Sequence, residues 1–265
     1  MLLFSVVVAA RDAAATLPDA LGSLTGQTDR DFECIVVSDG SRDTTAETAR
    51  KILGASGVVV ELPAPKGRAH ARNLAAGIAS GDYLVIQDAD DISVPRRLEL
   101  TREMIEFQEH GGACLVISGQ VATFRGSKRP RVRYRLPTTH DEIVAGLEAG
   151  QMVVNHSASA ISRRGFLDVG GYDERFVRAQ DFDLFLRLRT TARFATSEEV
   201  FLHYRYPLLT PFSRFQENWR FHRLAVGSAG LPVENSPGLN RAGWVSWQAK
   251  KWWREEIRVR DAGRP

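Results

Sequence analysis

The first half of the chain alternates short, continuous apolar runs with longer stretches in which apolar residues recur at helical spacing. Continuous β-branched runs are typical of strands buried on both faces, so the helices between them indicate a parallel sheet covered on each side. The predicted strands are residues 3–9, 32–37, 58–62, 83–86 and 113–118, and the predicted helices are 13–24, 43–53, 68–79 and 95–109. This order of elements is typical of a nucleotide-binding half-domain.

The pattern changes after Gly119, where the apolar runs become shorter and polar residues interrupt them. Further strands are predicted at 121–124, 132–136, 157–162 and 200–206, and further helices at 140–147, 163–169, 181–189 and 214–226. Thr139 and Glu142 have the spacing of a capping box, in which two side chains satisfy backbone N–H groups at a helix N-terminus. The second half therefore departs from the regular strand–helix alternation of the first.

Composition and charge exclude several classes of protein. The 265 residues suffice for one large core or a core with a small appendage, and 43% hydrophobic with 25% charged residues is typical of a soluble globular protein. The net charge is +3, but residues 241–265 alone carry seven basic and three acidic groups, so the body is not basic. A nucleic-acid-binding body is therefore not expected.

Two features bear on the cellular compartment. Cys34 and Cys114 lie in apolar runs and are expected to be buried thiols in a reducing compartment, not a disulfide or a metal pair. The apolar residues 1–10 have no basic segment before them and are too few to span a bilayer. They are predicted to form a first strand rather than a signal peptide.

Three carboxylates, Asp88, Asp90 and Asp91, follow the predicted strand at 83–86 directly. Clustered carboxylates repel one another unless a cation or hydrogen bonds compensate, and Mg²⁺ and Mn²⁺ prefer oxygen ligands and often retain places for substrate phosphates. Open α/β sheets bind ligands beyond the carboxyl ends of their strands. The cluster indicates a metal site for a phosphorylated substrate, with a solvated acidic turn as the alternative.

Other polar residues follow strands or begin helices. Asp39 is placed to bind a base or ribose, whereas Asp43 is expected to cap the next helix. Arg68 begins a helix after a glycine turn, which favours anions such as a diphosphate, although basic surface clusters are common. Asp181 begins a buried helix and is placed to take a proton from an attacking hydroxyl, or else, like Asp183, it complements the helix dipole.

In this order, these segments resemble the family 2 glycosyltransferases with the GT-A fold, over roughly residues 3–206. The resemblance is carried by Ser5-Val6-Val7-Val8-Ala9-Ala10-Arg11-Asp12, Ile35-Val36-Val37-Ser38-Asp39-Gly40-Ser41, Gly67 with Ala71-Arg72-Asn73, Asp88-Ala89-Asp90-Asp91, Gly170-Gly171-Tyr172-Asp173 and Gln180-Asp181. It implies a single Rossmann-like mixed sheet flanked by helices. Residues 1–118 would form the nucleotide-sugar-binding half, 119–211 the acceptor and catalytic-base half, and 212–265 a helical C-terminal extension.

The resemblance also implies an activity, the inverting transfer of a sugar from a nucleotide-diphosphate sugar, most often uridine-linked, to a hydroxyl of a glycan or lipid-linked acceptor in polysaccharide biosynthesis. By this resemblance, Asp39 would contact the base, Asp88 would face the ribose side, and Arg68 or Arg72 would contact the nucleotide or its phosphates. Asp90 would bind Mn²⁺ or Mg²⁺ with support from Asp91. Asp181 would be the general base. The carboxylates favour this activity over a non-catalytic sugar-nucleotide sensor, and a nucleotidyltransferase is disfavoured because no glycine-rich phosphate loop opens the chain.

Three departures from the family pattern affect the expected site. The turn after the first strand reads Ala9-Ala10-Arg11-Asp12 rather than Pro-Thr-Tyr-Asn, so Ala10 and Asp12 are expected at the substrate with altered base contacts. Gln180 stands where the family usually has Glu, and it is also expected at the substrate. Because Tyr204-Arg205 lacks the histidine that often follows, His156 and His203 are expected to be structural or on the acceptor side rather than metal-bound.

The C-terminal segment 241–260 combines tryptophans with basic residues. Such a helix suits a membrane interface and a lipid-linked acceptor, which predicts a cytoplasmic protein with peripheral contact to the inner face of the membrane. A helix packed on the catalytic domain is the alternative. The basic segment 125–135 is equally consistent with an anionic acceptor and with a surface loop.

Overall fold

The computed structural model describes residues 3–108, 114–125, 129–132, 135–205 and 211–233. Its strands are β1 (Phe4–Ala10), β2 (Phe32–Asp39), β3 (Gly57–Leu62), β4 (Tyr83–Asp88), β5 (Ile92–Ser93), β6 (Cys114–Phe124), β7 (Arg131–Val132), β8 (Ala160–Ser162) and β9 (Ala192–Arg205). Its helices are α1 (Leu17–Thr25), α2 (Thr45–Leu53), α3 (Arg68–Ile78), α4 (Arg97–Gln108), α5 (His140–Glu148), α6 (Arg163–Asp168), α7 (Gln180–Leu188) and α8 (Phe212–Ser228).

The strands form one mixed sheet in the order β3-β2-β1-β4-β8-β6-β9-β5, with β7 paired to β6. β1 runs parallel to β2 and β4, and β2 runs parallel to β3, as predicted for the first half. β8 lies antiparallel between β4 and β6, β9 runs parallel to β6, and β5 runs antiparallel to β9. This confirms the predicted α/β fold with a single mixed sheet, and it places the carboxyl ends of β1, β2 and β4 side by side.

The largest correction concerns Gly119, at which the pattern predicts a break between two strands. One strand, β6, runs through this position, with an irregular register between Ser118 and Val121. A Cβ atom added at Gly119 would lie 2.1 Å from the ring of Phe201 on β9. The glycine therefore permits close packing of two paired strands instead of ending one of them.

Smaller corrections concern the other elements of the second half. The strand predicted at 157–162 is a 3₁₀ turn, His156–Ala158, followed by the short β8. β9 begins at Ala192, not near residue 200, because the polar residues at 197–199 lie within the strand and interrupt its apolar pattern. The capping box is wrong: the Thr139 hydroxyl donates to the Glu142 carboxylate at 2.7 Å, and no side chain caps the backbone of α5 there.

The apolar side chains form a core on each face of the sheet, as expected for strands covered on both sides. On one face, residues such as Val7 and Ile35 pack against α3, α5 and α7. On the other face, residues such as Val6 and Val36 pack against α1, α2 and α4. Cys34 and Cys114 are free thiols; Cys34 is buried and Cys114 partly so, which agrees with the prediction.

The helix predicted at 214–226 is α8, which packs against α7. The rings of His222 on α8 and Phe182 on α7 stack with centroids 4.4 Å apart. The membrane-interface helix predicted at 241–260 lies outside the described residues, as does much of the basic segment 125–135. Among the helices of the described ranges, none is long and apolar enough to cross a membrane.

Candidate active site

A cavity of about 660 Å³ opens at the carboxyl ends of β1, β2 and β4. The residues predicted at the site that line this cavity are Ala10, Asp12, Asp39, Arg68, Arg72, Asp88 and Asp90. Asp91, Gln180 and Asp181 are not on its wall: Asp91 and Gln180 are buried, and Asp181 is partly exposed at the start of α7. Most of the predicted site residues thus meet in one cleft, beyond the strand ends where open α/β sheets bind ligands.

The acidic turn (residues 88–91) concentrates negative charge at the end of β4. One carboxylate oxygen from each of Asp88, Asp90 and Asp91 lies within 4.8 Å of the others. Oδ1 of Asp91 accepts the backbone N–H of Arg205 at 2.9 Å, while its buried Oδ2 has no hydrogen-bond partner among the described residues. A buried carboxylate oxygen without a donor is costly, and a cation would satisfy it.

The pKa values of the three carboxyl groups show how this charge is compensated. Burial and then the neighbouring Asp88 raise the pKa of Asp91 well above its usual value, although the nearby Ser157 hydroxyl acts to lower it. Asp90 is exposed at the cavity, but the surrounding protein still removes part of its hydration; this desolvation and then the charge of Asp88 raise its pKa. Burial also acts to raise the pKa of Asp88, but the Arg72 guanidinium holds it below its usual value. Of the three carboxyl groups, Asp88 is thus the one whose pKa is lowered, and the oxygen ligands of the acidic turn fit a divalent cation.

Arg72, on α3, forms the wall beside the acidic turn. Its Nη2 donates to Oδ1 of Asp88 at 2.7 Å, and its guanidinium lies 5.7 Å from the centre of the Tyr172 ring. The side chain is only 3% exposed, and its Nε and Nη1 have no hydrogen-bond partner within the described part of the chain. Buried donors without acceptors are rare in proteins, so these N–H groups fit a polar or anionic ligand in the cleft.

Asp39 holds the loop that leads into α3. Its two carboxylate oxygens accept the backbone N–H groups of Lys66, at 2.6 Å, and Gly67, at 2.9 Å. The adjacent Gly40 has a φ of +60°, and a Cβ atom there would lie 2.3 Å from the backbone nitrogen of Pro65. Asp39 thus lines the cavity and also fixes the start of α3, where the exposed Arg68 has no hydrogen-bond or ion-pair partner among the described residues.

Asp12 and Asp43 connect the turns after β1 and β2. Oδ1 of Asp12 accepts the backbone N–H of Arg42 at 2.8 Å. Asp43 accepts the backbone N–H groups of Thr45, the first residue of α2, and of Ala14, each at 3.0 Å. Asp43 therefore binds the N-terminus of α2, although the N-cap residue is Thr44 and not Asp43 as predicted.

Asp181 is not on the cavity wall, but it interacts electrostatically with side chains beside the cavity. Its charge acts on Arg72, His156 and Tyr172, all three of which also feel the charge of Asp88. Oδ1 of Asp181 accepts the backbone N–H of Phe182 at 2.9 Å. The next acid of α7, Asp183, is buried and forms an ion pair with Arg187 at 2.7 Å, which agrees with its predicted structural role.

Backbone strain marks the same region. Asp12 and Ala179, with φ of +49° and +54°, are the non-glycine residues with positive φ in the described ranges. Asp12 lines the cavity, and Ala179 immediately precedes Gln180 and Asp181. Such conformations cost free energy and cluster at functional sites, so both positions favour a functional cleft.

Sequence reasoning missed the contact between His156 and Tyr172 and one group of residues on the cavity wall. His156, expected to be structural or on the acceptor side, is partly buried, and its Nε2 lies 2.7 Å from the hydroxyl of the buried Tyr172. The charges of Asp88 and Asp181 act on both side chains. Arg178, Arg214 and Glu217 also line the cavity, and Arg178 Nε donates to Glu217 Oε2 at 2.9 Å. His203 lies on β9, outside the acidic cluster. No local spacing signals these groups, because the fold brings them together from distant segments.

The partly buried His156 makes a pH dependence of stability testable. Burial and then Arg72 lower its pKa from 6.5 to about 4, so between these values the unfolded chain binds a proton that the folded chain does not. Stability therefore falls as the pH drops through this interval. Between about pH 7 and about pH 4.5, we expect His156→Gln to lose less unfolding free energy in urea than the wild type, by on the order of 2 kcal/mol. Equal losses would contradict the lowered pKa of His156.

Comparisons with known proteins agree with this geometry. The family model described as "Glycosyl transferase family 2" matches residues 5–170. The amylovoran biosynthesis glycosyltransferase AmsB of Erwinia amylovora is 28% identical over 191 residues, which are 69% of this chain and 63% of AmsB. The chain thus spans less than two thirds of that relative's length.

Solved structures agree on the fold. The S. aureus TarS fragment 1–349 in complex with UDP has a TM-score of 0.66 at 19% identity, covering 88% of this chain and 68% of that fragment. The mannosyltransferase PcManGT from Pyrobaculum calidifontis, solved with GDP-Man and Mn²⁺, has a TM-score of 0.65 at 16% identity, covering 96% of this chain and 70% of the other. The fold is the GT-A fold that the sequence predicts.

Proposed function

The chain belongs to glycosyl transferase family 2, and on this premise we propose that it transfers a sugar, with inversion, from a nucleotide-diphosphate donor to a hydroxyl of a glycan or lipid-linked acceptor. One observation carries the proposal. A single cleft brings together the clustered carboxylates of the acidic turn and the side chain of Arg72, whose Nε and Nη1 have no partner among the described residues, and the charge of Asp181 acts on Arg72. This arrangement suits a sugar nucleotide, whose diphosphate would bind beside a cation and whose sugar would react.

The donor is assigned to the cavity walls formed by β1, β2 and α3. Ala10, Asp12 and Asp39 would contact the nucleoside, because they line the cavity at the ends of β1 and β2, where open α/β sheets bind the base and ribose of a nucleotide. Asp88 would face the ribose side. Arg68 lies at the N-terminus of α3, where free N–H groups and the helix dipole favour phosphate, and Arg72 offers its unpaired nitrogens to the same anion. A uridine nucleotide is supported by the UDP bound in TarS.

Asp90 and Asp91 would hold Mn²⁺ or Mg²⁺. The exposed Asp90 faces the cavity, and Asp91 lies beneath it with an oxygen that lacks a donor among the described residues. Mn²⁺ is present in the structure of PcManGT, which has the same fold. When bound, such a cation neutralises the charge that develops on the leaving diphosphate and orients it.

Asp181 would act as the general base. The Phe182 N–H engages its Oδ1, while its Oδ2 has no hydrogen bond to the described residues and is free for an acceptor hydroxyl. As the acceptor oxygen bonds to the anomeric carbon, the bond from that carbon to the phosphate oxygen breaks, and the hydroxyl proton passes to Asp181. Attack opposite the leaving group inverts the anomeric centre. Gln180, buried beside Asp181, would help to place the substrate.

The acceptor is assigned to the wall formed by α8 and the segment before α7. The exposed Val177 and Arg214 line the cavity there, and the Arg178–Glu217 ion pair completes the wall. A polysaccharide precursor is supported by the name of AmsB. We place the protein in the cytoplasm, which suits its free thiols, with peripheral membrane contact through residues 241–260.

The test is nucleoside diphosphate release from a panel of sugar nucleotides, with and without Mn²⁺ and with glycan and lipid-linked acceptors. We expect release from one donor, dependent on the metal and faster with the correct acceptor. Pyrophosphate released from a nucleoside triphosphate would identify a nucleotidyltransferase instead. Nucleotide binding without turnover of any donor, in the presence of every acceptor, would favour a non-catalytic sugar-nucleotide-binding protein.

A further inference from the structure

Gln87 is a fully buried amide directly beneath the acidic turn, next to the last residue of β4. Its Nε2 donates to the backbone carbonyl of Asp91 at 2.8 Å and to that of Asp88 at 3.1 Å. These carbonyls belong to the two ends of the acidic turn. The turn's own hydrogen bond, from the Asp91 N–H to the Asp88 carbonyl, measures 3.2 Å. One side-chain amide therefore ties together both ends of the segment that carries the carboxylates.

Arg97 fixes the direction in which this amide points. Oε1 of Gln87 accepts from Nη1 of Arg97 at 2.8 Å and from the Ser93 hydroxyl at 2.7 Å. A guanidinium only donates hydrogen bonds, so Oε1 must face Arg97, and the Nε2 group must then face the acidic turn. Nη2 of Arg97 donates to the carbonyl of Ile86 at 2.8 Å, which anchors the guanidinium to β4.

The burial of Arg97 is unusual and needs a reason. The residue is 0% exposed, its Nε has no hydrogen-bond partner among the described residues, and its donors go to Gln87, Ser93 and Ile86 rather than to a carboxylate. Arginine is almost never fully buried without an ion pair, because desolvating the guanidinium is costly. An aliphatic residue would fill the same space without that cost. The nearby charges of Asp91 and Asp88 favour the guanidinium, and its hydrogen bonds all support β4 and the residues beside the acidic turn.

We propose that Gln87, oriented by Arg97 and Ser93, is a positioning residue that holds the acidic turn in its cation-binding shape before a cation arrives. The proposal rests on the proposed function, because it takes Asp90 and Asp91 as the cation-binding residues. Gln87 and Arg97 act through the backbone of the turn and do not line the cavity. Groups that support metal ligands in this way typically change metal affinity by about 10- to 100-fold when they are lost.

Two substitutions in the full chain test this role. Gln87→Met keeps the size of the side chain but removes the amide, and Arg97→Lys keeps the charge but cannot bond Gln87 and Ile86 in the same fork geometry. Mn²⁺ affinity is measured from the electron paramagnetic resonance signal of free Mn²⁺. Hydrogen exchange of the amides at 88–93 is measured without metal. We expect Mn²⁺ affinity to fall by about 10- to 100-fold and these amides to exchange faster in both variants.

Arg102→Lys is the matched control, because Arg102 lies on the same helix but binds Asp29, with Nε 2.6 Å from Oδ2. It should change neither Mn²⁺ affinity nor exchange at 88–93. Ser93→Ala removes one hydrogen bond to Gln87, so Mn²⁺ affinity and amide exchange at 88–93 should change in the same direction but by less. If Gln87→Met and Arg97→Lys do not fold, this variant tests the proposal in their place. Wild-type affinity and exchange in the variants, or an equal loss in the control, overturns the proposal. A wild type that binds no Mn²⁺ contradicts the proposed metal site instead, and hydrogen exchange then decides on the positioning role alone.

Discussion

Asp90→Asn is expected to release nucleoside diphosphate at least about 100-fold more slowly than the wild type, because a bound cation supplies several kcal/mol of transition-state stabilisation. The substitution preserves size but removes the charge of the exposed carboxylate that lines the cavity. It leaves Asp91 buried, with its Oδ1 bonded to the Arg205 N–H. Added Mn²⁺ should not restore the rate, since the variant lacks one of the two proposed ligands. Release rates measured over a range of Mn²⁺ concentrations test this prediction.

A control carboxylate lies at the other end of the same strand. Asp82 precedes β4, is exposed, and accepts the backbone N–H of Leu3 at 3.1 Å. Asp82→Asn should keep the metal-dependent rate. The stability of Asp90→Asn should equal or exceed that of the wild type, because asparagine carries no charge and removes both the desolvation cost and the repulsion from Asp88 that raise the pKa of Asp90. A nearly wild-type, metal-dependent rate in Asp90→Asn would exclude Asp90 as a required metal ligand.

The sequence predicts the acidic turn and its neighbours because local pattern and chain topology coincide there. The apolar run of β4 ends at its carboxylates, and the alternation of strands and helices predicts that β1, β2 and β4 are parallel. The carboxyl ends of such strands meet at one edge of the sheet. Asp12, Asp39 and Asp88 are therefore expected to lie together before any coordinates are known, and they line one cavity.

Long-range pairing is what the local pattern does not contain. β8 is a three-residue strand that lies between β4 and β6, and its position sets how far apart the two halves of the sheet lie. Gly119 has the signature of a break, yet it serves the packing of Phe201. The wall contributed by α8 and the contact between His156 and Tyr172 depend on such tertiary placement, so the sequence predicts neither of them.

Asp39 shows a further limit of prediction from residue type. A carboxylate at a strand end can bind a ligand or satisfy nearby backbone N–H groups, and the sequence does not distinguish these uses. In the structure, the same carboxylate accepts the N–H groups of Lys66 and Gly67 and also lines the cavity. A substitution of Asp39 would therefore alter the start of α3 together with any nucleotide contact, and it is a poor test of base recognition.

Asp181→Asn is expected to lower kcat by about 10²- to 10⁴-fold, the usual contribution of a general base. Asparagine can still accept the Phe182 N–H that Asp181 Oδ1 accepts, so the start of α7 should keep its geometry. It cannot take a proton from the acceptor hydroxyl. Donor binding and Mn²⁺ affinity should stay close to the wild type, because Asp181 is not on the wall of the cavity assigned to the donor. Steady-state rates with saturating donor and acceptor, together with titration calorimetry of the nucleotide, measure these effects separately.

The matched control is the next acid on the same helix. Asp183→Asn breaks a buried ion pair with Arg187, so it should lower the thermal midpoint of unfolding while kcat stays near the wild-type value. Asp181→Asn should therefore lose turnover but keep its stability, whereas Asp183→Asn should lose stability but keep its turnover. If Asp181→Asn instead weakened donor binding with kcat unchanged, its role would be electrostatic positioning through Arg72, on which the charge of Asp181 acts, and another group would have to accept the proton.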